Sequence, residues 1–129
     1  MLKESKDALN SMKEIFERRM NAKVKRVEKA IVAFENFYTT IKDNVKTATF
    51  SEGIQFRDRL IEFEFKDTRF PGKFFKFVCD LDGDRDVIHT EIHEFVNDCM
   101  IWNFCGKSDV KADPIATVND MIETISTKE

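Results

Sequence analysis

"RLIEFEFKDTRFPGKFFKFVCDL", residues 59 to 81, decides the architecture of this chain. In its first part Ile61, Phe63 and Phe65 alternate with Glu62, Glu64 and Lys66. A period of two puts one set of side chains on a buried face and the other in water, so the stretch reads as a half-buried strand. In its last part Phe75, Phe77, Cys79 and Leu81 form a second set of the same kind. Pro71-Gly72 between them is a turn signal, because proline pre-sets a negative φ and glycine accepts a positive one. The expectation is an antiparallel hairpin, 59–66 with 73–81, with one face dense in phenylalanine. Thirteen Phe against one Trp and one Tyr in 129 residues put much of the core into aromatic packing.

Upstream, residues 3 to 46 contain neither Gly nor Pro. Leu9, Met12, Phe16, Met20, Val24, Val27, Ile31, Phe34, Tyr38, Ile41 and Val45 recur in steps of three or four, which keeps one apolar stripe on an α-helix. A helix over 3–46 would be ~65 Å long at ~1.5 Å per residue, whereas a compact chain of this size has a radius of gyration of only ~14 Å. The expectation is that its second half packs on the sheet. Either the helix breaks in the middle, or its first half projects and pairs with a second copy. Leu9, Met12, Phe16 and Met20 are the candidates for that self-association, as a coiled-coil homodimer.

Downstream the period is ambiguous. Ile88, Ile92, Phe95, Val96 and Cys99 fit a helix, while the start "RDVIHT" fits a third strand, so 86–104 stands as helix or strand. Gly106 is expected to end it. In "DPIATVNDMIETI" Asp113 suits an N-cap and Pro114 the first helical position, giving a short helix over 114–126. The fold class is therefore α+β in a single domain, residues 1–129. A long N-terminal helix lies partly on a small antiparallel sheet (residues 54–104), and a helix within 113–126 follows.

The stretch "DLDGDRDVIHTE", residues 80 to 91, spaces acids at regular intervals. Counting Asp80 as position 1, Asp82, Asp84 and Glu91 fall at 3, 5 and 12, Asp86 at 7 offers its carbonyl, and Val87 at 8 is apolar. Over these twelve residues the chain resembles the calcium loop of the EF-hand family, which implies Asp80, Asp82, Asp84 and Glu91 as side-chain ligands of a divalent cation. Two features depart from the family. Arg85 stands where its loops carry Gly, and the residues after Pro71-Gly72 alternate like a strand where an incoming helix belongs. The tip of a hairpin is the reading adopted, with a divalent-cation site as the third functional reading. His89 and His93, four apart, would share a face with one another on a helix and with Cys99 or Cys105 recruit zinc. Their order H-T-E-I-H is not the H-E-x-x-H of zinc proteases, and they are taken as surface histidines.

A 42% hydrophobic and 35% charged chain is globular, with no run long enough to span a membrane. The start "MLKESKDALNSMKE" has no apolar signal segment, so a cytoplasmic protein is expected. Three cysteines, Cys79, Cys99 and Cys105, are then reduced, partly buried thiols. In residues 18–29 the cations Arg18, Arg19, Lys23, Lys25, Arg26 and Lys29 face a single acid, Glu28. This net +5 leaves −8 for the remainder of a chain whose total is −3. None of the six falls on the apolar seam, so they form a basic stripe suited to phosphates or an acidic partner.

No Gly-rich phosphate loop, nucleophile elbow or cofactor motif occurs. The functional expectation is a non-catalytic binding protein, an adaptor or inhibitor acting through protein–protein contacts as a homodimer, without a cofactor. Small charged chains of this sort are frequent in phages and mobile elements. The second reading is a nucleic-acid-binding protein using the basic stripe; its helix–sheet–helix outline is similar to that of small dimeric bacterial nucleoid-associated proteins.

Overall fold

The computed structural model describes residues 3–16 and 21–128, with the side chains at 3–4, 14–16, 21–24, 102–104 and 126–128 left out of the description. The fold is α+β. Helices α1 (Lys3–Phe16) and α2 (Asn21–Asn44) lead into strands β1 (Ala48–Thr49), β2 (Gln55–Arg57), β3 (Leu60–Asp67), β4 (Lys73–Asp80), β5 (Val87–Val96) and β6 (Cys99–Asp109). Helix α3 (Pro114–Lys128) closes the chain. The sheet is antiparallel in the order β1-β3-β4-β5-β6, with β2 also on β3. From β3 onward every strand pairs with its neighbour in sequence.

The hairpin read from residues 59–81 is β3 with β4. Phe63 lies opposite Phe77 and Phe65 opposite Phe75. Both pairs stack on the inner face, with ring centroids 4.8 and 5.1 Å apart. Helix α2 lies on this ladder: Phe34 and Tyr38 meet Phe63 at 5.3 and 5.1 Å, and Phe37 meets Phe77 at 5.8 Å. All of these side chains are buried, together with Val27, Ile31 and Ile41 of the same helical stripe. Stacked and tilted aromatic pairs at such distances add to the stabilisation from burial alone. The connection is a turn in which Lys73 N–H donates to the Phe70 carbonyl (3.2 Å), with Pro71 at its second place and Gly72 at φ +80° in its third. Only a residue without Cβ sits comfortably there.

The apolar periodicity of residues 3–46 is divided between two helices. Helix α1 lies against α2, and Leu9, 3% exposed, belongs to this chain's own core with Met12 packed beside it. A single straight rod cannot bring residues before 16 into contact with residues beyond 21, so the projecting 3–46 helix gives way to a pair of packed ones. Residues 17–20, with Met20, fall outside the described residues, as does the side chain of Phe16.

Residues 86–104 are strand. Ile88, Thr90 and Ile92 are buried while His89, Glu91 and His93 are half-exposed, an alternation that the polar Thr90 conceals in the sequence. A two-residue turn, Asn97 at φ 51° and Asp98 at φ 63°, joins β5 to β6. Positive φ at both central places makes it a mirror-image hairpin turn that suits strand twist. Gly106 does not end the element: it lies within β6 opposite Thr90. The register steps between Ile92 opposite Phe104 and His93 opposite Trp102, leaving Asn103 as a bulge. At the start of α3 the Asp113 carboxylate accepts from Ile115 N–H (3.1 Å), the N-cap expected from the sequence. Val118, Met121 and Ile125 carry α3 into the core beside α2.

Replacing Phe77 with Ala removes one ring from contacts with Phe37, Phe63 and Phe65. The expected loss is about 3–5 kcal/mol of unfolding free energy, a large share of the ~5–15 kcal/mol typical of a domain. Urea unfolding measures it, and a loss below about 1 kcal/mol would show that the ladder does not carry the fold.

Asp67, buried at the end of β3, accepts from Arg69 N–H (3.0 Å), Nε (3.0 Å) and Nη2 (2.7 Å). Burial alone would raise its pKa. The Arg69 side-chain and backbone hydrogen bonds, the Thr47 hydroxyl and the Arg69 charge together outweigh burial and hold the carboxyl below the usual range. A depressed folded-state pKa gives stability that is present above the unfolded value and lost as pH falls through the folded one. Asp67→Asn should therefore cost about 1–3 kcal/mol at neutral pH. The gap between variant and wild type should close below about pH 4. A gap independent of pH would overturn this account.

Candidate functional site

The acidic stretch 80–91 is the β4–β5 connection, and its carboxylates serve their own backbone. Asp80 Oδ1 accepts from Asp82 N–H (3.0 Å), and Asp84 Oδ1 from Asp86 N–H (3.3 Å). Asp80 also pairs with Arg59 across the sheet at 3.4 Å. The loop is tight: a Cβ on Gly83 would meet Asp80 Oδ2 at 2.8 Å. Arg85, at the place where an EF-hand loop turns through glycine, is not among the positive-φ residues and instead donates from Nη1 to the Leu81 carbonyl (3.0 Å). Glu91 lies four residues along β5 from Val87, ~13 Å at ~3.3 Å per residue, opposite Lys76. It is not brought to the aspartates. Among the described residues no group of three or more His, Cys, Asp or Glu is placed to hold a metal ion.

His89, Glu91 and His93 share the outer face of the sheet, the one without helices. His93 Nε2 lies 3.1 Å from Glu91 Oε2. The same face carries Lys76 with Glu62 (3.5 Å), while Lys73 and Glu94 meet (3.3 Å) on the other face, at the end of β4. Such pairs on a half-exposed face hold side chains in place and contribute little else. The three thiols are free. Cys79 is 0% exposed, and burial first, then the charges of Asp80, Asp84 and Asp86, push its pKa up to about 11. It is a thiol at neutral pH and a poor nucleophile. Cys99 and Cys105 are exposed, not partly buried as expected.

Of the basic stripe, Lys25, Arg26 and Lys29 are exposed on α2. Arg18 and Arg19 fall outside the described residues, as does the side chain of Lys23.

The surface that sequence reasoning missed is the end of the β5–β6 hairpin. Strand β4 stops at Lys73, which pairs with Glu94, so β5 and β6 run on past their neighbour. With no strand or helix among the described residues to cover them, Phe95, Val96, Met100 and Ile101 stand 48%, 41%, 59% and 45% exposed. Apart from Val32 on α2, these four are the exposed large apolar side chains among the described residues. Phe95 and Met100, directly opposite one another, lie on the outer face, and Val96 and Ile101 on the inner one. The outer pair continues along the sheet, since the Phe95 ring meets Phe74 edge-on at 5.1 Å and Lys66 Nζ sits 4.7 Å from the Phe74 ring. Strand β6 also ends the sheet, pairing with β5 alone. One side of its backbone thus presents N–H and C=O groups with no strand beside them. From Cys99 to Cys105 that edge carries no charged residue of the kind that usually guards one. The available signal was "EFVNDCMI", apolar pairs on both sides of an Asn-Asp turn.

Native protein treated with a thiol reagent should take up two labels, at Cys99 and Cys105, and a third only on unfolding. Rapid labelling of Cys79 in the native state, seen by mass spectrometry, would contradict its burial.

No protein-family model, no curated protein and no solved structure matches this chain.

Proposed function

We propose that this is a non-catalytic binding protein that acts through protein–protein contacts at the β5–β6 hairpin end, and that it pairs with a second copy there. The observation that carries the reading is the coincidence of four exposed apolar side chains with an uncharged, unpaired strand edge. Apolar side chains exposed on both faces of one hairpin end mark it as an interaction site, and an open edge lends backbone hydrogen bonds to a strand laid beside it. The register puts Phe95 opposite Met100 on the outer face, with Val96 and Ile101 on the inner one. Covering the exposed halves of either pair is worth roughly 1.5–3 kcal/mol, taking about half of the full-burial value for each. A second copy offers the same patch and edge, as a two-fold interface requires. Leu9 and Met12, assigned to self-association from the sequence, are already engaged by this chain's own core. The hairpin end is therefore the better surface for pairing.

The catalytic alternative lacks support in the chemistry of the described groups. The buried thiol is held protonated, the loop aspartates bond to their own turns, and the histidine–glutamate pair sits on an open face. A cytoplasmic location fits three free thiols, and no helix among the described residues is long and apolar enough to cross a membrane.

Sedimentation across a concentration series should show a monomer–dimer equilibrium. Met100→Glu with Ile101→Lys, one change on each face and Lys opposite Glu94, should shift it to monomer while leaving unfolding free energy within about 0.5 kcal/mol, as exposed positions do. A wild-type chain that stays monomeric at high micromolar concentration would remove the self-pairing. If the double variant also failed to change any protein partner recovered with the wild type, the hairpin end would be excluded as the contact.

A further inference from the structure

We infer that the cleft between α2, the β4–β5 turn and the β6–α3 turn binds a phosphate ester. Four cations from three separate elements converge on it: Arg26 and Lys29 from α2, Arg85 from the first turn and Lys111 from the second. The cleft holds about 330 Å³, at the lower end of the range for small-ligand sites. It exists because α2 presents Ala30 and Ala33 there, side chains too short to fill the gap to the turns.

The charges are arranged for an anion. Two carboxylates, Asp84 and Asp86, also line the cleft, which leaves it with a net charge of +2. Asp84 is occupied with the Asp86 N–H. Among the described residues, no ion pair engages Arg26, Lys29 or Lys111, although both carboxylates line the same space. Arg85 is held in position by its bond to the Leu81 carbonyl, and the turn itself is anchored by Val110 N–H donating to the Asp86 carbonyl (2.8 Å). The site is thus braced on both turns before any ligand arrives.

A phosphate monoester carries close to two negative charges and accepts hydrogen bonds from several directions, which suits two guanidinium forks and two ammonium groups better than a single carboxylate would. The two aspartates favour a carrier with hydroxyl groups, to which they offer acceptors. A sugar phosphate supplies both features, either as a free small molecule or as the 5′-phosphorylated end of a nucleic-acid strand. In the second case exposed Lys25, one residue from Arg26 on α2, extends the positive surface along the strand. This inference is independent of the contacts at the β5–β6 hairpin.

The test is titration of the ¹⁵N-labelled full chain with ribose 5-phosphate, and separately with a short 5′-phosphorylated single-stranded DNA, at about 50 mM salt. Saturable shifts of the Gly83, Arg85 and Lys111 amides are expected, with affinity falling as salt rises. Lys29→Glu with Lys111→Glu should weaken binding by about tenfold or more, because both are exposed and both contribute charge to the cleft. Lys42→Glu with Lys46→Glu, the same charge change in the last turn of α2 and the turn after it, should leave it unaltered. A strand that binds at least about tenfold tighter than the sugar phosphate and competes with it identifies nucleic acid as the source; the reverse order identifies a free metabolite. The inference is overturned by shifts that do not saturate with either probe, or by binding that both double variants weaken equally. Circular dichroism of each variant separates lost binding from lost folding.

Discussion

Two pairs of phenylalanines, Phe63 with Phe77 and Phe65 with Phe75, stack across the central hairpin, and everything else is arranged around them. Directly opposed side chains on one face are the unit of sheet stabilisation. Aromatic ones bury more area than any other choice. Because the ladder is flat and broad, α2 can lay Phe34, Phe37 and Tyr38 on it and bury a whole helical stripe. Helix α3 then packs beside α2 and α1 lies against it. Among the described residues the outer face has no such ladder and no helix, and its alternation of charge and half-exposed apolar residues follows from that.

The parts of this fold legible in the sequence are those where a single period runs without interruption. Ile61, Phe63 and Phe65 alternate cleanly, Val27 to Ile41 steps by three and four, and Asp113-Pro114 opens α3 with a cap and a fixed φ. Strands β5 and β6 were harder for a physical reason. Thr90 fills a core position with a polar side chain, and the bulge at Asn103 puts the period of β6 out of phase halfway along. Ile88, Ile92, Phe95 and Cys99 then mimic a helical spacing. The division of residues 3–46 into two helices was open in the sequence, because excess length allowed either a break or a projecting half and the same stripe serves one long helix or two that share a core.

Function was less legible than fold. The aspartates of residues 80–86 look like ligands because the residues that cap turns and the residues that bind hard cations are the same ones. Here short carboxylates close successive turns, and Glu91 is carried away along a strand. The basic stripe was visible as composition, but the cleft was not. Arg85 and Lys111 join Arg26 and Lys29 only because two turns, distant in sequence, meet the same length of helix. The apolar hairpin end has a local signal in "EFVNDCMI", but its exposure depends on β4 stopping before β5 and β6 do, a matter of relative strand length.

The order of elements also has a consequence during synthesis. Helix α2 leaves the ribosome before the strands that will cover it. Its apolar stripe, Val27 to Ile41, has no partner until β3 and β4 follow as far as Phe77. At a translation rate of about 5–20 residues per second the wait is on the order of 2–7 s. During that interval the nascent chain displays an uncovered helical face, which α1, already made and already bordering it, is placed to shield in part. Once β4 is out, each later strand has only to fold back on the one just made. The vulnerable moment in the life of this chain therefore comes early, before its first hairpin closes.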